Sequence, residues 1–516
     1  MTGSELGRRE ALQLGMLGGA LALCPPMIAN AAPLPRTALR LEERKCQLIV
    51  MGGGVAGVMA ALAARQAGAN VILIEKTAVG LGGMTPWAQN WRDPRGREAR
   101  LADQLLAEGD GLTDRAWLEM TLGVAGEVAG LWENWGWLDT APLRRRALWL
   151  AQLKSAGVEV YEHSMVARFL RDRDGRFAGV LALRPQAREG DMVLIRAARG
   201  VSAMGSGALR GPHAMLWGLT HDGVALSFQA GARLRGKELT DLSSPYAAYA
   251  ALADVSAQQP ARMAEAATAG LAQPDVNDLL AEMRGLRPLP NSSAPMRMPG
   301  TGVLTSEGVV AAALDGAVEG VPGLHAAGGA LASMVSGGRY SLPGLGWTAS
   351  GAQGQLVGAA AGRLAAQLAP AIPDADRLDA TLTEVWGPRV RAQGYGPDWV
   401  RQNLQQSVTP FFVSYWKQAD RLVAAQTLVD HLATALQPML IASSNHEWRA
   451  VLEVQNLLID QQVRLRASLA RRESRGTHVR EDAEAQTAPS WIDASRDAGG
   501  EIVLRQAAVS TASSPG

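Results

Sequence analysis

Residues 46–57 read CQLIVMGGGVAG. The run 46–51 is apolar, as a strand buried on both faces requires; Gly52-Gly53-Gly54-Val55-Ala56-Gly57 breaks it, and residues 58–67 resume with helical composition. Strand, glycine turn and helix in that order make a phosphate-binding unit. Gly52 permits the tight turn, Gly54 lets the backbone approach a pyrophosphate, and Gly57 lets the helix pack on the strand, while the helix start at Val55 and Ala56 faces the anion. A second strand over 70–74 ends in Glu75, 18 residues after Gly57, where a carboxylate accepts the hydrogen bonds of a ribose diol; Lys76 beside it is assigned to the same site.

Working outward, the chain has 516 residues, 47% hydrophobic and 19% charged, which excludes a disordered or collagenous protein and suggests several domains. Fifty Lys and Arg against 49 Asp and Glu leave a net charge of +1, so no broad field exists for nucleic acid and none is expected as a partner.

The first residues read as an address. Arg8-Arg9 precede a weakly apolar, Gly-rich run over 14–23, and Ala29-Asn30-Ala31 supplies an A-x-A cleavage pattern before Pro33. A twin-arginine signal peptide over 1–31 and a periplasmic mature chain are the expectation, with an amphipathic N-terminal helix as the alternative. The run is shorter than the roughly 20 residues that span a bilayer. Leu23 before Cys24 is larger than a lipoprotein signal takes, so no lipid anchor is expected. Cleavage after Ala31 leaves Cys46 alone, which excludes an internal disulfide and a cysteine-based metal site; Cys46 itself reads as a small core residue. No later run reaches membrane-spanning length, so no transmembrane segment is expected in the mature chain.

A second glycine turn, Gly82-Gly83-Met84-Thr85, follows soon after Glu75, and a nicotinamide enzyme has no need of it. Here the chain resembles the flavoprotein subunits of the fumarate reductase, succinate dehydrogenase and L-aspartate oxidase superfamily, in which such a turn lies against FAD. The likeness recurs in order along the chain. Residues 157–161 (GVEVY) with Val166, then a hairpin around Asp174-Gly175, resemble the family's adenine side. Ala203-Met204-Gly205-Ser206-Gly207 stands where the family has A-T-G-G, and Asp222-Gly223 resembles its G-D-G, although Asp222 also suits a helix N-cap. Residues 322–328, ending in Gly328, are similar to the strand that returns the chain to the flavin. Ser350-Gly351 then open a Gly- and Ala-rich helix whose amide end the resemblance places at the flavin.

The C-terminal third, from Asp374 to Arg475, loses its strand-turn texture and reads as helices with apolar seams. Residues 472–480 (RESRGTHVR) resemble the family's R-E-S-R-G-x-H-x-R signature, and with Tyr415-Trp416-Lys417 and Asn445-His446-Glu447 they resemble the adenylylsulfate reductase branch; they read as a buried pairing network that docks the helical domain. The expected fold is therefore α/β: a Rossmann-type FAD-binding domain in two parts, 40–235 and 303–370, with an inserted α+β cap domain over 236–302, a C-terminal helical domain over 371–483, and a polar, poorly patterned tail over 484–516.

The classical catalytic set is not intact. Family members carry H-P-T, R-G-E-G-G, a His before a G-G turn, and R-L-G-G-N; residues 238–245 (ELTDLSSP) stand at the first, and an ungapped count puts Leu345 at the last Arg, six residues from Arg339. No His occupies the flavin-attachment position, where Gly83-Met84-Thr85-Pro86 stands, so FAD is expected to be noncovalent and fumarate or succinate is not expected as substrate. Candidate catalytic residues are His325, as acid or base or else a core residue, and Arg339 with Tyr340 in a Gly-rich loop. Arg284, Arg287 and Arg297 of the cap, and the tryptophans clustered between Trp87 and Trp137, read as solvated and core residues, with an anion clamp and an aromatic pocket as alternatives. The functional expectation is an exported FAD-dependent oxidoreductase moving hydride between flavin and an organic substrate beside a carbonyl or carboxylate, with an unknown acceptor or redox partner. The rival is a catalytically degenerate assembly or electron-transfer subunit of a larger complex.

Overall fold

The apolar run 46–51 forms the end of strand β1 (Arg40–Met51), and Leu48, Ile49, Val50 and Met51 are all buried because the sheet is covered on both faces. The computed structural model describes residues 27–83, 85, 95–137, 142–209, 218–240, 304–305, 307–338, 344–414 and 416–509. The twin-arginine motif, Met84, Trp87, Trp91, Arg339, Tyr340, Tyr415 and, apart from 236–240, the expected cap with its three arginines lie outside the described residues.

After β1 the chain turns into helix α1 (Val55–Gln66) and returns as β2 (Val71–Ile74), parallel to β1 with Leu48 opposite Val71. Helices α2 (Glu98–Glu108), α3 (Arg115–Asn134) and α4 (Pro142–Ser155) lead to β3 (Glu159–Tyr161), which extends the parallel edge. Strands β4 (Met165–Arg171) and β5 (Phe177–Leu183) form an antiparallel hairpin, and β6 (Asp191–Ser202) then inserts beside β1. Helix α5 (Asp222–Gln229) and the short strand β7 (Leu234–Arg235) follow, and β8 (Leu324–Ala326) pairs with the last three residues of β6. The order is β3-β2-β1-β6-β5-β4, with β8 on the β5 edge of β6.

One helix pair fixes the cleft. Helix α6 (Leu345–Ala365) carries Gly354, Gly358 and Gly362, a stripe one turn apart that faces Ala56, Ala60 and Ala64 of α1. An added Cβ at these glycines would stand 2.3, 2.3 and 2.7 Å from the alanine backbones, so the helices meet at main-chain contact. This helix starts at Leu345 rather than Ser350 as the sequence suggested. Its N-cap is Gly344, whose φ of 90° provides no side-chain signal for a start. Trp132 and Trp137 pack edge to face at 4.1 Å with Trp149 beside them in the core, not as an aromatic pocket.

The helical domain comprises α7 (Ala375–Val390), α8 (Pro397–Val408), α9 (Ala419–His431) and the 26-residue α10 (Asn445–Ala470), and its apolar seam around Leu404, Leu422, Trp448 and Leu457 is one core with Met165, Leu181 and Leu194 of β4, β5 and β6. The signature segment docks it through buried charges. Arg471 donates to Glu238 at 2.7 and 2.9 Å, Arg475 to Glu473 at 2.5 Å, and Arg480 to Asp482 at 2.7 Å. Lys417 donates to the Glu238 carbonyl at 2.7 Å and lies 2.9 Å from His478 Nδ1; burial holds both groups well below their ordinary values.

The tail reading is corrected. Strands β9 (Ser490–Arg496) and β10 (Ile502–Ala508) form a hairpin, and β9 pairs with β7. Its polar residues are neutralised in place: Asp493 receives two hydrogen bonds from Arg235, whose guanidinium lies 3.9 Å from the Trp491 ring, and Trp491 Nε1 donates to Leu112 at 2.8 Å. Near the other end, Ile28-Ala29 pair with Gln393-Gly394, and Asn30 is 6% exposed, donating to the Ala442 carbonyl while Ala31 and Ala32 are exposed.

Candidate functional site

The cleft opens where β1, β2 and β6 end and the two helices of the glycine stripe begin. Gly52 has φ 107°, and a Cβ there would stand 2.3 Å from the Ala203 carbonyl oxygen; at Gly57 it would stand 1.8 Å from the Gly52 oxygen. Those contacts account for two of the motif glycines. Gly54 instead lines the cleft with Val55 and Ala56, at an α1 N-terminus that no side chain caps. Gly57 does not line it, since its role is packing. At α6 the N-terminus is likewise uncapped by a side chain, and Gly344, Gly346, Trp347 and Ser350 line the same cleft. Two helix N-termini, neither capped by its N-cap side chain, thus open onto one space, a positive environment suited to an anionic cofactor.

The acidic residue after β2 is engaged by protein. Glu75 Oε2 accepts from the Gly53 amide at 2.6 Å and Oε1 from the Thr77 amide and hydroxyl at 2.7 Å each, which fixes the glycine turn against the loop bearing Gly82 and Gly83. Lys76 Nζ lies 2.6 Å from Asp222 Oδ2 and 3.2 Å from Glu453 of α10; Asn456 of the same helix donates to Asp222 Oδ1 at 2.8 Å. The helical domain therefore reaches the cleft wall. Asp222 is the first residue of α5, after the N-cap His221, and lines the cleft, so the N-cap reading of Asp222 is corrected. Ser164, Val166, Ala203, Gly205 and Gly328 line it as well. The Gly328 amide donates to Gln353 of α6 at 3.1 Å, which ties the returning loop to that helix.

Several sequence candidates fall elsewhere. His325 does not line the cleft; its Nδ1 lies 3.2 Å from the Asp315 carbonyl and its Nε2 3.5 Å from Arg199, and burial holds it below its ordinary value. On a three-residue strand paired with the end of β6 and buried at 1% exposure, His325 takes the core role of its two readings and not the catalytic one. Gly351 is corrected to a packing residue, because a Cβ there would stand 2.5 Å from the Trp132 ring. Of the residues assigned to the cofactor from the sequence, Gly52, Gly54, Val55, Ala56, Glu75, Lys76, Gly82, Gly83, Val166, Ala203, Gly205, Asp222, Gly328 and Ser350 line this one cleft.

The sequence reading missed Glu307, a buried carboxyl in the cleft wall whose Oε2 accepts from the Met334 amide at 3.1 Å and which burial pushes up to about 8. A lone acid heading the apolar run Gly308-Val309-Val310-Ala311 was its available signal. It also missed Glu453 and Asn456, which sit among ordinary polar positions of a helix and carry no local mark. Among the described residues no group of His, Cys, Asp and Glu forms a metal site, and no helix is long and apolar enough to cross a membrane.

The residues present fit FAD. A cradle closed to side chains at Gly52, an uncapped helix start for the pyrophosphate, a small-residue wall at Ala203, Gly205 and Gly328, and a second uncapped helix start form one continuous cleft.

Comparison with known proteins agrees. The family model described as FAD dependent oxidoreductase matches residues 47–211, and that described as Fumarate reductase flavoprotein C-term matches residues 404–511. No curated protein sequence matches the chain. In fold the chain is similar to Mycobacterium smegmatis Sdh1 in complex with UQ1, with TM-score 0.72 and 18% identity over 90% of this chain and 94% of that one. It is also similar to a point variant of the FrdA chain of E. coli quinol fumarate reductase (TM-score 0.70, 16% identity, 92% and 99% coverage). Adenylylsulfate reductase from Archaeoglobus fulgidus gives TM-score 0.71 and 16% identity over 95% and 100% of the two chains. With one model on the glycine-turn region, the other on the docked C-terminal segment, and the fold joining them, the matches indicate an FAD-dependent oxidoreductase of the fumarate reductase and succinate dehydrogenase flavoprotein type.

Proposed function

We propose that this flavoprotein is an exported dehydrogenase or reductase that moves hydride between noncovalently held FAD and an organic substrate beside a carbonyl or carboxylate. The observation that carries the reading is the single cleft onto which two uncapped helix N-termini and a buried acid open. FAD bound there supplies reversible two-electron, hydride-accepting chemistry. The chain's own residues do the rest. The α1 terminus and Gly54 neutralise the pyrophosphate, Asp222 with Lys76 forms a fixed ion pair in the wall, and the α6 terminus stabilises negative charge developing near it. Fumarate and succinate are not proposed as substrates, since the family's H-P-T and R-L-G-G-N motifs are absent. A redox partner or acceptor outside this chain is part of the reading.

The test is a metabolite screen on FAD-loaded protein that follows bleaching of the flavin band and then turnover with an artificial acceptor. Bleaching by a carbonyl or carboxylate compound with turnover is the expected result. No response across a broad panel, in protein that dithionite still reduces, would favour the assembly role instead.

The route of the proposed export follows from cofactor chemistry. A cleft between packed helices must be loaded where FAD is made, so the chain needs a route that carries folded protein. Arg8-Arg9 suit that route, and Ala31-Ala32 is exposed for cleavage although Asn30 is docked. Arg8→Lys with Arg9→Lys should strand flavin-loaded, uncleaved precursor in the cytoplasm; equally efficient export of the double variant would sink the assignment.

A further inference from the structure

Among the described residues the Glu307 carboxyl forms no ion pair. It is 6% exposed, its Oε2 has the Met334 amide as donor, and among the described residues its Oε1 has none. Among the described residues three charged groups face it: Arg235 from β7, Lys237 just after that strand, and Asp114 at the N-cap of α3. Both cations are committed elsewhere. Arg235 gives two hydrogen bonds to Asp493 at 2.7 and 2.9 Å, and Lys237 Nζ lies 2.8 Å from Asp460 and donates to the backbone carbonyl of Glu307, not to its carboxyl. Asp114 adds repulsion. A carboxylate removed from water and met by one neutral donor is favoured in its protonated form, and a protonated carboxyl is a hydrogen-bond donor. Glu307 lines the cleft on the wall that also carries Leu331, Ser333 and Ser336.

We propose that Glu307 is the substrate-anchoring acid of this cleft: as a neutral carboxylic acid it donates a hydrogen bond from Oε1 to a carbonyl or carboxylate oxygen of the substrate. The inference rests on the functional reading above and names the group that selects its substrate class. No bond is made or broken in this contact. A donor on that oxygen withdraws electron density from the adjacent carbon, which favours hydride transfer there, and it admits an anionic carboxylate that an ionised Glu307 would repel.

The experiment uses the FAD-loaded full chain and acetate as the probe, with calorimetric titration from pH 6.5 to 9.5 and infrared spectra over the same range. Parent protein should show a protonated-carboxyl band that disappears around pH 8, and acetate affinity should fall about tenfold per pH unit above that point, because only the protonated form binds. Glu307→Gln keeps a donor and should bind acetate with no such fall and without the band; Glu307→Ala should lose binding at every pH while keeping its FAD. A parent with no titrating band, or with an acetate pH slope that Glu307→Gln shares, would overturn the inference. Those outcomes in a chain that takes up FAD leave the flavoprotein reading standing. A chain that takes up no FAD sinks that reading instead, and its infrared titration still reports on Glu307.

Discussion

Glu307 and Glu473 are the same chemical group buried in two parts of one molecule, and they sit at opposite extremes. Glu473, at the junction of the helical domain, accepts from Arg475, Arg471 and the Thr487 amide; although burial pushes it up, those donors hold it down to about 2. Glu307, in the cleft wall, is pushed up to about 8 by burial because its neighbouring cations belong to Asp493 and Asp460. The lesson is that burial does not set the state of a carboxyl; the allocation of cations does. At the junction the allocation is complete, which marks a structural joint. At the cleft it is withheld from one group, which marks a site for chemistry.

The largest expected effect comes from emptying the joint. Arg471→Ala leaves Glu238 buried without its cation and should cost about 3–5 kcal/mol, read by chemical denaturation. A loss below about 1 kcal/mol would mean that the joint is not held by these charges.

Next is the pH profile of the two carboxyls, which should have opposite signs. The folded value of Glu307 lies above the ordinary 4.5, so its contribution to stability is full below that pH and is lost as pH rises toward about 8. At pH 8 the penalty is on the order of 3–4 kcal/mol, and Glu307→Gln should recover part of it there and little at pH 4.5. The folded value of Glu473 lies below 4.5, so its contribution is present above that pH and is lost as pH falls toward about 2. Protection of the amides over 471–487, corrected for the intrinsic pH dependence of exchange, should therefore fall on acidification, and unchanged protection would erase the contrast.

Gly52→Ala should follow at about 2–3 kcal/mol, from a side chain forced to positive φ against the Ala203 carbonyl, with loss of FAD retention on gel filtration. The smallest effect belongs to an exposed pair: Arg36→Ala, which breaks the Asp379 contact, should change stability by less than about 1 kcal/mol.

What the sequence disclosed follows the reach of each interaction. The glycine turn at 52–57 was legible because its requirement is local: a tight turn, a close carbonyl and a helix start occur within six residues. The hairpin at 172–176 was legible on the same ground; the docking charges at 472–480 were legible through their resemblance to a family signature, whereas Arg471, whose partner Glu238 lies 233 residues away, was not read. Helix α6 was misjudged by five residues because Gly344 starts it with backbone geometry alone, whereas Ser350-Gly351 only resembles a cap. The β9–β10 hairpin was read as a loose tail because Asp493 and Arg235, 258 residues apart, make its polar strand acceptable. Glu307 was passed over for a related reason: the acid before an apolar run is a local mark, but its chemistry depends on where Arg235 and Lys237 spend their charge, and Asp493 and Asp460 decide that from far along the chain. His325 had the residue type without the place.

The most direct measurement is the flavin content of the purified chain, taken from its visible spectrum before and after acid precipitation. The cleft predicts stoichiometric FAD in the native parent, released to the supernatant by acid, and little or none in Gly52→Ala. Protein that stays colourless after incubation with FAD, or a Gly52→Ala variant that holds FAD as the parent does, would contradict the assignment of this cleft. Flavin that remains on the acid-denatured chain would contradict the noncovalent site.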